Sequence, residues 1–291
     1  MTGHKEEKHM QAKKKQGWRR AVYHVLMLLF SFLMLYPLLW MISSSLKPGD
    51  QIMITQTQLI PAQITFENYV TGWAGFARNS FATFFKNSLL VAVVRVAGTV
   101  ISACLTAFAM ARMNFKGRKF WFAIMIGTMC LPGMILRVPQ YLLFNTLGWV
   151  GSYKPLLIPS WFGGGAFNVF LLMQFMKNIP RDMDEAATID GCGWGGLFAR
   201  IMLPLITPAI CTVAVLTFIG SWGDFYSALI YLNKPSMYPV AYALKLYSDE
   251  TTTNYGPMLA MSVLSLVPVI ILFFLFQRSL VEGISTTGIK G

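Results

Sequence analysis

Charged side chains are scarce in this sequence. Asp, Glu, Lys and Arg together make up 12% of the 291 residues, whereas 55% of the residues are hydrophobic. Soluble globular domains carry roughly 25% charged residues, so a soluble domain of this length is excluded. The mean hydropathy of +0.54 agrees with this. We therefore expect an integral membrane protein, with the lipid bilayer as its solvent.

The sequence also lacks the residues that most enzymes need. All three histidines lie within the first 24 residues, so no Ser/His/Asp set and no metal cluster can be assembled. No Gly-x-x-x-x-Gly-Lys-Ser/Thr phosphate loop occurs. We therefore predict that the chain is not an enzyme and binds no metal or nucleotide cofactor itself.

Cysteines are few and are not paired. Cys104, Cys130, Cys192 and Cys211 have neither metal-ligand spacing nor the pattern of a disulfide framework. We expect all four to be small buried hydrophobic residues.

Six apolar stretches have the length of a membrane span, which is roughly 20 residues. The predicted fold is therefore an all-α integral membrane protein with six transmembrane helices. We expect a basic tail over residues 1–20, a six-helix domain over 21–280 and a C-terminal tail over 281–291. The predicted spans cover about 21–42, 87–111, 120–143, 155–176, 205–230 and 257–277.

The formal net charge of +12 comes from basic residues whose distribution indicates the topology of the chain rather than a nucleic-acid partner. The tail and every second loop hold 16 of the Lys and Arg residues, the alternate loops hold 6, and Arg95 and Arg137 fall inside predicted spans. Positive residues favour the cytoplasmic side, so both termini are expected there. The basic residues are not gathered on one soluble face, which argues against nucleic-acid binding.

The longest predicted cytoplasmic loop, residues 177–204, is polar and rich in glycine. It contains "EAATIDGCGWGGLFARIMLP". Asp182 and Asp184 are candidate N-caps of a short helix over about 184–190, after which glycines interrupt the chain and a second short helix leads to the fifth span. This pattern fits a docking element outside the bilayer, and it also fits an ordinary polar connector.

The order of residues in this loop resembles the EAA loop of the membrane subunits of bacterial ATP-binding-cassette (ABC) importers. Further segments agree, namely "FKNSLLVA", "NFKGRKF", "SWGDF" and the C-terminal "TTGIKG". Together they resemble the shorter permease of maltose-type oligosaccharide importers over nearly the whole chain, and most closely the permeases of complex or acidic oligosaccharides such as the alginate importer. The loop pattern consists of Glu185, Ala186, Ala187, Gly191, Ile201, Leu203 and Pro204, and Asp190 completes its Ile-Asp-Gly run.

This resemblance implies a type I ABC importer permease in a bacterial cytoplasmic (inner) membrane. The loop would be a coupling helix that docks into a homodimer of ATPase subunits, which bind ATP and Mg. Glu185 would pair with a basic group of the ATPase, Ala186 and Ala187 would allow close packing, and Gly191 would make the turn. Leu203 and Pro204 would fix the loop to the fifth span. The tail residues Gly288, Lys290 and Gly291 would also contact the ATPase.

The other partners implied are a second, larger permease, an extracytoplasmic solute-binding protein and an oligosaccharide. In the related importers a loop corresponding to residues 231–256 touches the solute-binding protein; this segment is rich in tyrosine, but a solvated connector would look similar.

Asp224 is the clearest polar group within the predicted spans, where charged residues usually face a partner or a wet cavity. With Trp222 and Phe225 beside it, it suits a sugar ring, which offers apolar faces and hydroxyl groups. Packing is the alternative role for the two aromatic residues. Arg137 and Arg95 are each able to snorkel, to pair with Asp224 or to line the path of an acidic substrate.

Two other classes of function stay open. A proton-coupled or ion-coupled secondary transporter would need an intramembrane acid relay or inverted repeats, and the sequence shows one clear intramembrane acid and no evident repeat. A non-transporting scaffold would keep the spans without needing the coupling loop.

Overall fold

The computed structural model is built almost entirely from helices. It describes the backbone of residues 3–248 and 254–288 and the side chains of residues 18–248 and 254–279. Within that part of the chain there is no β-strand; Phe76 and Asn79 form an isolated bridge. The predicted all-α fold class is confirmed.

Fourteen α-helices are present in the described residues. They are α1 (Gly3–Ser45), α2 (Glu67–Ala74), α3 (Phe81–Arg112), α4 (Arg118–Met129), α5 (Gly133–Thr146), α6 (Lys154–Leu157), α7 (Ala166–Asn178), α8 (Asp182–Ile189), α9 (Trp194–Gly196), α10 (Leu203–Leu205), α11 (Thr207–Trp222), α12 (Phe225–Tyr231), α13 (Val240–Lys245) and α14 (Tyr255–Gly288). Short 3₁₀ helices cover Ile158–Trp161 and Pro235–Met237, and a π-helical segment covers Leu197–Met202.

Four helical regions are long and apolar enough to cross a membrane as single spans. They are Trp18–Ser45, Phe81–Arg112, Lys154–Asn178 and Tyr255–Ser279. Two bent helix pairs pass the same test together, Arg118–Met129 with Gly133–Thr146 at 105° and Trp194–Leu205 with Thr207–Trp222 at 76°. Taken as one span each, they bring the number in the described residues to six.

The third and fifth predicted spans are therefore not continuous helices. In the third, Pro132 is the N-cap of α5 and lacks the N–H that would continue α4. In the fifth, Pro208 opens α11 after the bend, and a second break at Gly223 separates α11 from α12.

The described residues divide into two compact units. The first comprises the residues up to Gly72 together with Asn254–Val263. In it the ammonium group of buried Lys47 donates hydrogen bonds to the carbonyl oxygens of Thr55 (2.8 Å) and Gln58 (2.6 Å). A buried charge requires hydrogen-bond partners. These two bonds provide them and join Lys47 to the loop that follows it.

The second unit holds the remaining described residues and is organised around α3, which packs mainly against α7 and α11. Small residues on α3 let the neighbouring backbone approach closely, as in other membrane helix pairs. A Cβ placed on Gly164, whose φ is +62°, would lie 2.6 Å from the Cβ of Ala103. The core of this unit includes Ala103, Ala107, Phe108, Leu172, Met173, Met176, Ala187, Met202 and Val213.

Candidate functional site

The polar insertion over 177–204 forms the short helix α8 and then a turn. Three acids occupy the first turn of α8, where the positive end of the helix dipole favours carboxylates. The predicted N-cap role of Asp182 and Asp184 is wrong, because Arg181 holds the N-cap position and no side chain caps the helix. Asp184 instead makes an ion pair within the protein.

Gly191 closes the turn after α8. Its φ is +79°, in the left-handed region that glycine adopts without strain. The amide of Gly191 donates to the carbonyl oxygen of Thr188 (3.0 Å), and the amide of Cys192 donates to that of Ala187 (2.8 Å). These are the two hydrogen bonds of a Schellman helix ending, with Asp190 as the C-cap. The backbone conformation therefore favours glycine at position 191.

The outer surface of α8 and of the start of α9 is exposed and partly apolar. Ile189 is 86% exposed and Trp194 is 55% exposed, and both line a groove of about 670 Å³ together with Glu185. Among the described residues Glu185 has no ion-pair partner. Ala186 is exposed, but Ala187 is buried in the core of its own chain. Of the two alanines expected to admit another backbone, only Ala186 lies at the surface.

The second half of the insertion anchors the loop to the core. Ile201 and Leu203 are half-buried and pack against the core of the second unit. Pro204 is exposed in α10, just before the 76° bend into α11. The predicted second short helix is thus present as an irregular helix containing the π-helical turn of Leu197–Met202.

Arg112, the last residue of α3, joins α8 to two spans. Its Nη1 lies 3.1 Å from Oδ2 of Asp184, and its Nη2 donates to the carbonyl oxygens of Met176 (2.7 Å) and Ile179 (2.8 Å) at the end of α7. The guanidinium group is buried. Sequence reasoning gave Arg112 no role beyond topology, since it stands at the start of a basic loop and nothing in the pattern predicts its partner.

This ion pair is incompletely bonded. Arg112 Nε and Asp184 Oδ1 are both buried, and neither has a hydrogen-bond partner among the described residues. Leaving such a group unpaired costs about 1–3 kcal/mol. The guanidinium and the carboxylate thus meet as an ion pair at 3.1 Å, and each keeps one polar atom without a partner in the described part of the chain.

A second feature is a cavity of about 540 Å³ that α3, α5, α7, α11 and α12 line together. This volume lies in the usual range of small-molecule sites. The charged residues in its lining are Arg95, Arg137 and Asp224. Its uncharged polar residues are Thr99, Gln140, Ser160, Asn168, Thr217, Ser221, Ser227 and Tyr231.

Asp224 occupies the break between α11 and α12 and makes two contacts. Its Oδ2 accepts a hydrogen bond from Nη1 of Arg95 at 2.8 Å. Its Oδ1 accepts from the backbone amide of Ser227 at 3.1 Å, which caps α12. Of the roles open to Arg95, the structure shows pairing with Asp224.

Arg137 contacts the face of the Tyr226 ring, 5.1 Å from its centroid. Among the described residues it has no carboxylate partner. The three charged side chains of the lining therefore sum to one net positive charge, which Arg137 contributes.

Trp222 and Phe225 do not line this cavity. Trp222 is buried, its indole N–H donates to the carbonyl oxygen of Ser265 at 3.0 Å, and its ring packs against Phe218. Phe225 packs against Tyr242. Both side chains serve packing in this structure, which was the alternative role for them. Gln140 and Asn168, which do line the cavity, were missed, although polar side chains in apolar spans are a detectable signal.

The tyrosines of the 231–256 segment are mainly packed inward. Tyr238 and Tyr242 have ring centroids 4.4 Å apart and join a cluster around Tyr231 and Leu232. Burial raises the pKa of the Tyr238 hydroxyl, so it stays protonated at neutral pH. Residues 249–253 lie outside the described part of the chain.

The remaining predicted positions are the C-terminal residues and the cysteines. Gly288 ends α14, whereas Lys290 and Gly291 lie outside the described residues. Of the four cysteines predicted to be buried, only Cys104 is; Cys192 and Cys211 are half-buried, and Cys130 is exposed at the break between α4 and α5. In the described part of the chain no three His, Cys, Asp or Glu residues are placed to hold a metal ion.

A protein-family comparison decides the assignment. Residues 99–285 match the family described as the binding-protein-dependent transport system inner membrane component. The chain belongs to this family. It is thus a membrane transport component, as the resemblance of the 185–204 pattern predicted.

Relatives of this permease act in oligosaccharide transport. The arabinooligosaccharides transport system permease protein of Halalkalibacterium halodurans is 32% identical over 265 residues, covering 90% of this chain and 93% of the relative. The galactooligosaccharides transport system permease protein of Bacillus subtilis is 32% identical over 274 residues, covering 91% and 96%.

The fold of the permease also matches a solved structure. The crystal structure of a bacterial ABC transporter involved in the import of the acidic polysaccharide alginate contains a chain that is 24% identical, with a TM-score of 0.77. The match covers 91% of this permease and 97% of that chain. The predicted type I ABC importer permease fold is confirmed.

Proposed function

We propose that this chain is the transmembrane permease subunit of a bacterial ABC importer for oligosaccharides. It would form half of the transport pathway and couple it to a separate ATPase. The supporting observation is that the exposed helix α8 is tied through Arg112 to α3 and α7, and both of these helices line the polar cavity. Motion of α8 would thereby reach the pathway.

The exposed face of α8 would dock on a homodimer of ABC ATPase subunits. Ile189 and Trp194 offer apolar area at low cost, since both are already exposed in the free chain. Glu185 offers an unpaired carboxylate to a basic group of the ATPase. ATP and Mg would bind to that partner, and this chain would bind no cofactor. The C-terminal tail over 281–291 would approach the same partner.

The cavity would accommodate part of an oligosaccharide. Gln140, Asn168 and Ser227 supply amide and hydroxyl groups for sugar hydroxyls, and Arg95, Arg137 and Asp224 supply charges. A cavity with net positive charge favours a sugar that carries carboxylate or sulfonate groups. We therefore propose that the substrate is acidic.

The second half of the pathway would come from a larger permease of the same family. We propose that the heterodimer lies in the bacterial cytoplasmic membrane with both termini of this chain in the cytoplasm, as the Lys and Arg distribution indicates. An extracytoplasmic solute-binding protein would deliver the sugar on the other side, next to the 231–256 segment.

The test is affinity purification of the tagged chain in mild detergent from its own host. We expect an ABC ATPase and a second permease to co-purify, and ATP hydrolysis by the eluate to rise with one sugar-loaded binding protein. A panel of neutral and acidic oligosaccharides identifies the substrate. A chain that purifies alone in several detergents would refute the proposal and direct tests to a secondary transporter or a scaffold.

A further inference from the structure

A buried arginine lies where α8 meets two spans. Arg112 ends α3, and its guanidinium contacts Asp184 in α8 and the last carbonyl groups of α7. Three chain segments are thus held by one planar group. A single arginine suits this task because its five donors are fixed in one plane.

This arrangement is more than an end cap for α7. The carbonyl groups of Met176 and Ile179 would be satisfied by any donor, and the exposed Lys177 is nearby in sequence. The additional ion pair with Asp184 reaches a different helix, which is followed by the Gly191 turn. The side chains are largely withdrawn from solvent, with exposures of 2% for Arg112 and 16% for Asp184. Solvent and salt therefore screen this ion pair little.

We propose that the Arg112–Asp184 ion pair is the joint that transmits movement of α8 to α3 and α7. Arg112 is a positioning residue in this role, since it touches neither the cavity nor the exposed face of α8. The inference deepens the proposed coupling function and rests on it. It predicts that breaking the ion pair separates ATP hydrolysis from transport.

The test uses the full transporter reconstituted in liposomes, with Asp184→Asn and Arg112→Gln as the test variants. Asp182→Asn is the matched control, because Asp182 is an exposed acid of the same helix turn. For Asp184→Asn we expect sugar transported per ATP hydrolysed to fall about tenfold, with ATP hydrolysis within about twofold of the unmodified transporter. Asp182→Asn should leave the ratio unchanged.

A second readout needs no knowledge of the sugar. Spin labels at Met183 of α8 and Leu105 of α3, both exposed and neither in the groove lined by Ile189, report the distance between α8 and α3. This distance should stay constant in the unmodified transporter when a non-hydrolysable ATP analogue is added. In Asp184→Asn it should change or broaden on the same addition.

Three results would contradict the proposed role of the Arg112–Asp184 ion pair. One is an unchanged transport-to-ATP ratio, and another is a parallel loss of both activities. The third is loss of complex assembly in both test variants while Asp182→Asn assembles, which would make the pair an assembly contact. Failure of the unmodified chain to bind any ATPase would refute the proposed function instead.

Discussion

Arg95 and Asp224 are 129 positions apart in the chain, yet their side chains meet at 2.8 Å in the lining of the cavity. Asp224 uses its second carboxylate oxygen to cap α12 through the amide of Ser227. A single carboxylate therefore neutralises one of the two arginines and also fixes the start of a helix. This double use allows the charge and the cap to be tested separately.

Asp224→Asn should remove the charge and keep the cap, because Asn caps helices about as well as Asp. Arg95 would then lose its counter-ion inside the cavity. The cavity would then carry two net positive charges, so we expect half-saturation for an acidic oligosaccharide to fall about tenfold relative to a neutral one, equivalent to about 1.4 kcal/mol, while the ATPase still co-purifies. The double variant with Arg95→Gln should reverse this shift, since it restores one net positive charge. An unchanged ratio of the two half-saturation values in the single variant would show that the pair does not face the sugar.

Arg137→Gln should discriminate between acidic and neutral oligosaccharides. A charge-assisted hydrogen bond to a carboxylate contributes about 1.5–3 kcal/mol, and Arg137 has no competing carboxylate among the described residues. We expect half-saturation for an acidic oligosaccharide to rise about tenfold or more relative to a neutral one. Arg137→Lys, which keeps the charge, should show a smaller change. Equal effects on both sugars would contradict an electrostatic role.

The locations of the spans could be predicted from the sequence, because each requires a long apolar stretch and little else. Their breaks could not, since an apolar stretch does not show where a helix bends: the third span turns by 105° at Pro132. The partner of Arg112 and the burial of Ala187 depend on tertiary packing. The turn at Gly191 could be predicted, because a glycine directly after a short helix is a local sequence signal for a left-handed helix ending.

Gly191→Ala should weaken coupling through the backbone alone. No atom lies within 4 Å of the position a Cβ would take, so the cost comes from the positive φ, about 1–2 kcal/mol. Gly195→Ala is the matched control, since Gly195 lies in α9 with the same free space. We expect Gly191→Ala to lower uptake and ATPase co-purification, and Gly191→Pro to abolish transport while membrane insertion persists. Normal uptake in both variants would contradict the importance of this turn.

Ile189→Ser should reduce the affinity for the ATPase without affecting the fold. Burial of an isoleucine side chain at an interface is worth about 1.5–3 kcal/mol, so co-purification should weaken about tenfold or more. The control is Ile60→Ser, because Ile60 is 82% exposed in the free chain. Glu185→Ala is expected to act in the same direction by a smaller factor, as exposed ion pairs contribute less. An equal effect of the Ile60 control would point to general instability.

Trp222→Phe should affect stability rather than sugar recognition. The change removes the hydrogen bond to the carbonyl oxygen of Ser265, worth about 0.5–1.5 kcal/mol, and part of the packing on Phe218. Thermal unfolding in detergent should begin at a lower temperature, and half-saturation for sugar should not change. A shift in half-saturation without loss of stability would indicate instead that Trp222 takes part in sugar recognition.

The positive φ of Gly191 bears on the chirality of the residue at this position. The space around position 191 is open, yet the backbone there adopts a conformation that L-residues avoid. For residues of the opposite chirality the same φ is the preferred one, by mirror symmetry. A chain assembled with D-alanine at position 191 should therefore keep the turn that L-alanine strains. The requirement at this position is for a permitted stereochemistry, and the smallness of glycine is incidental to it.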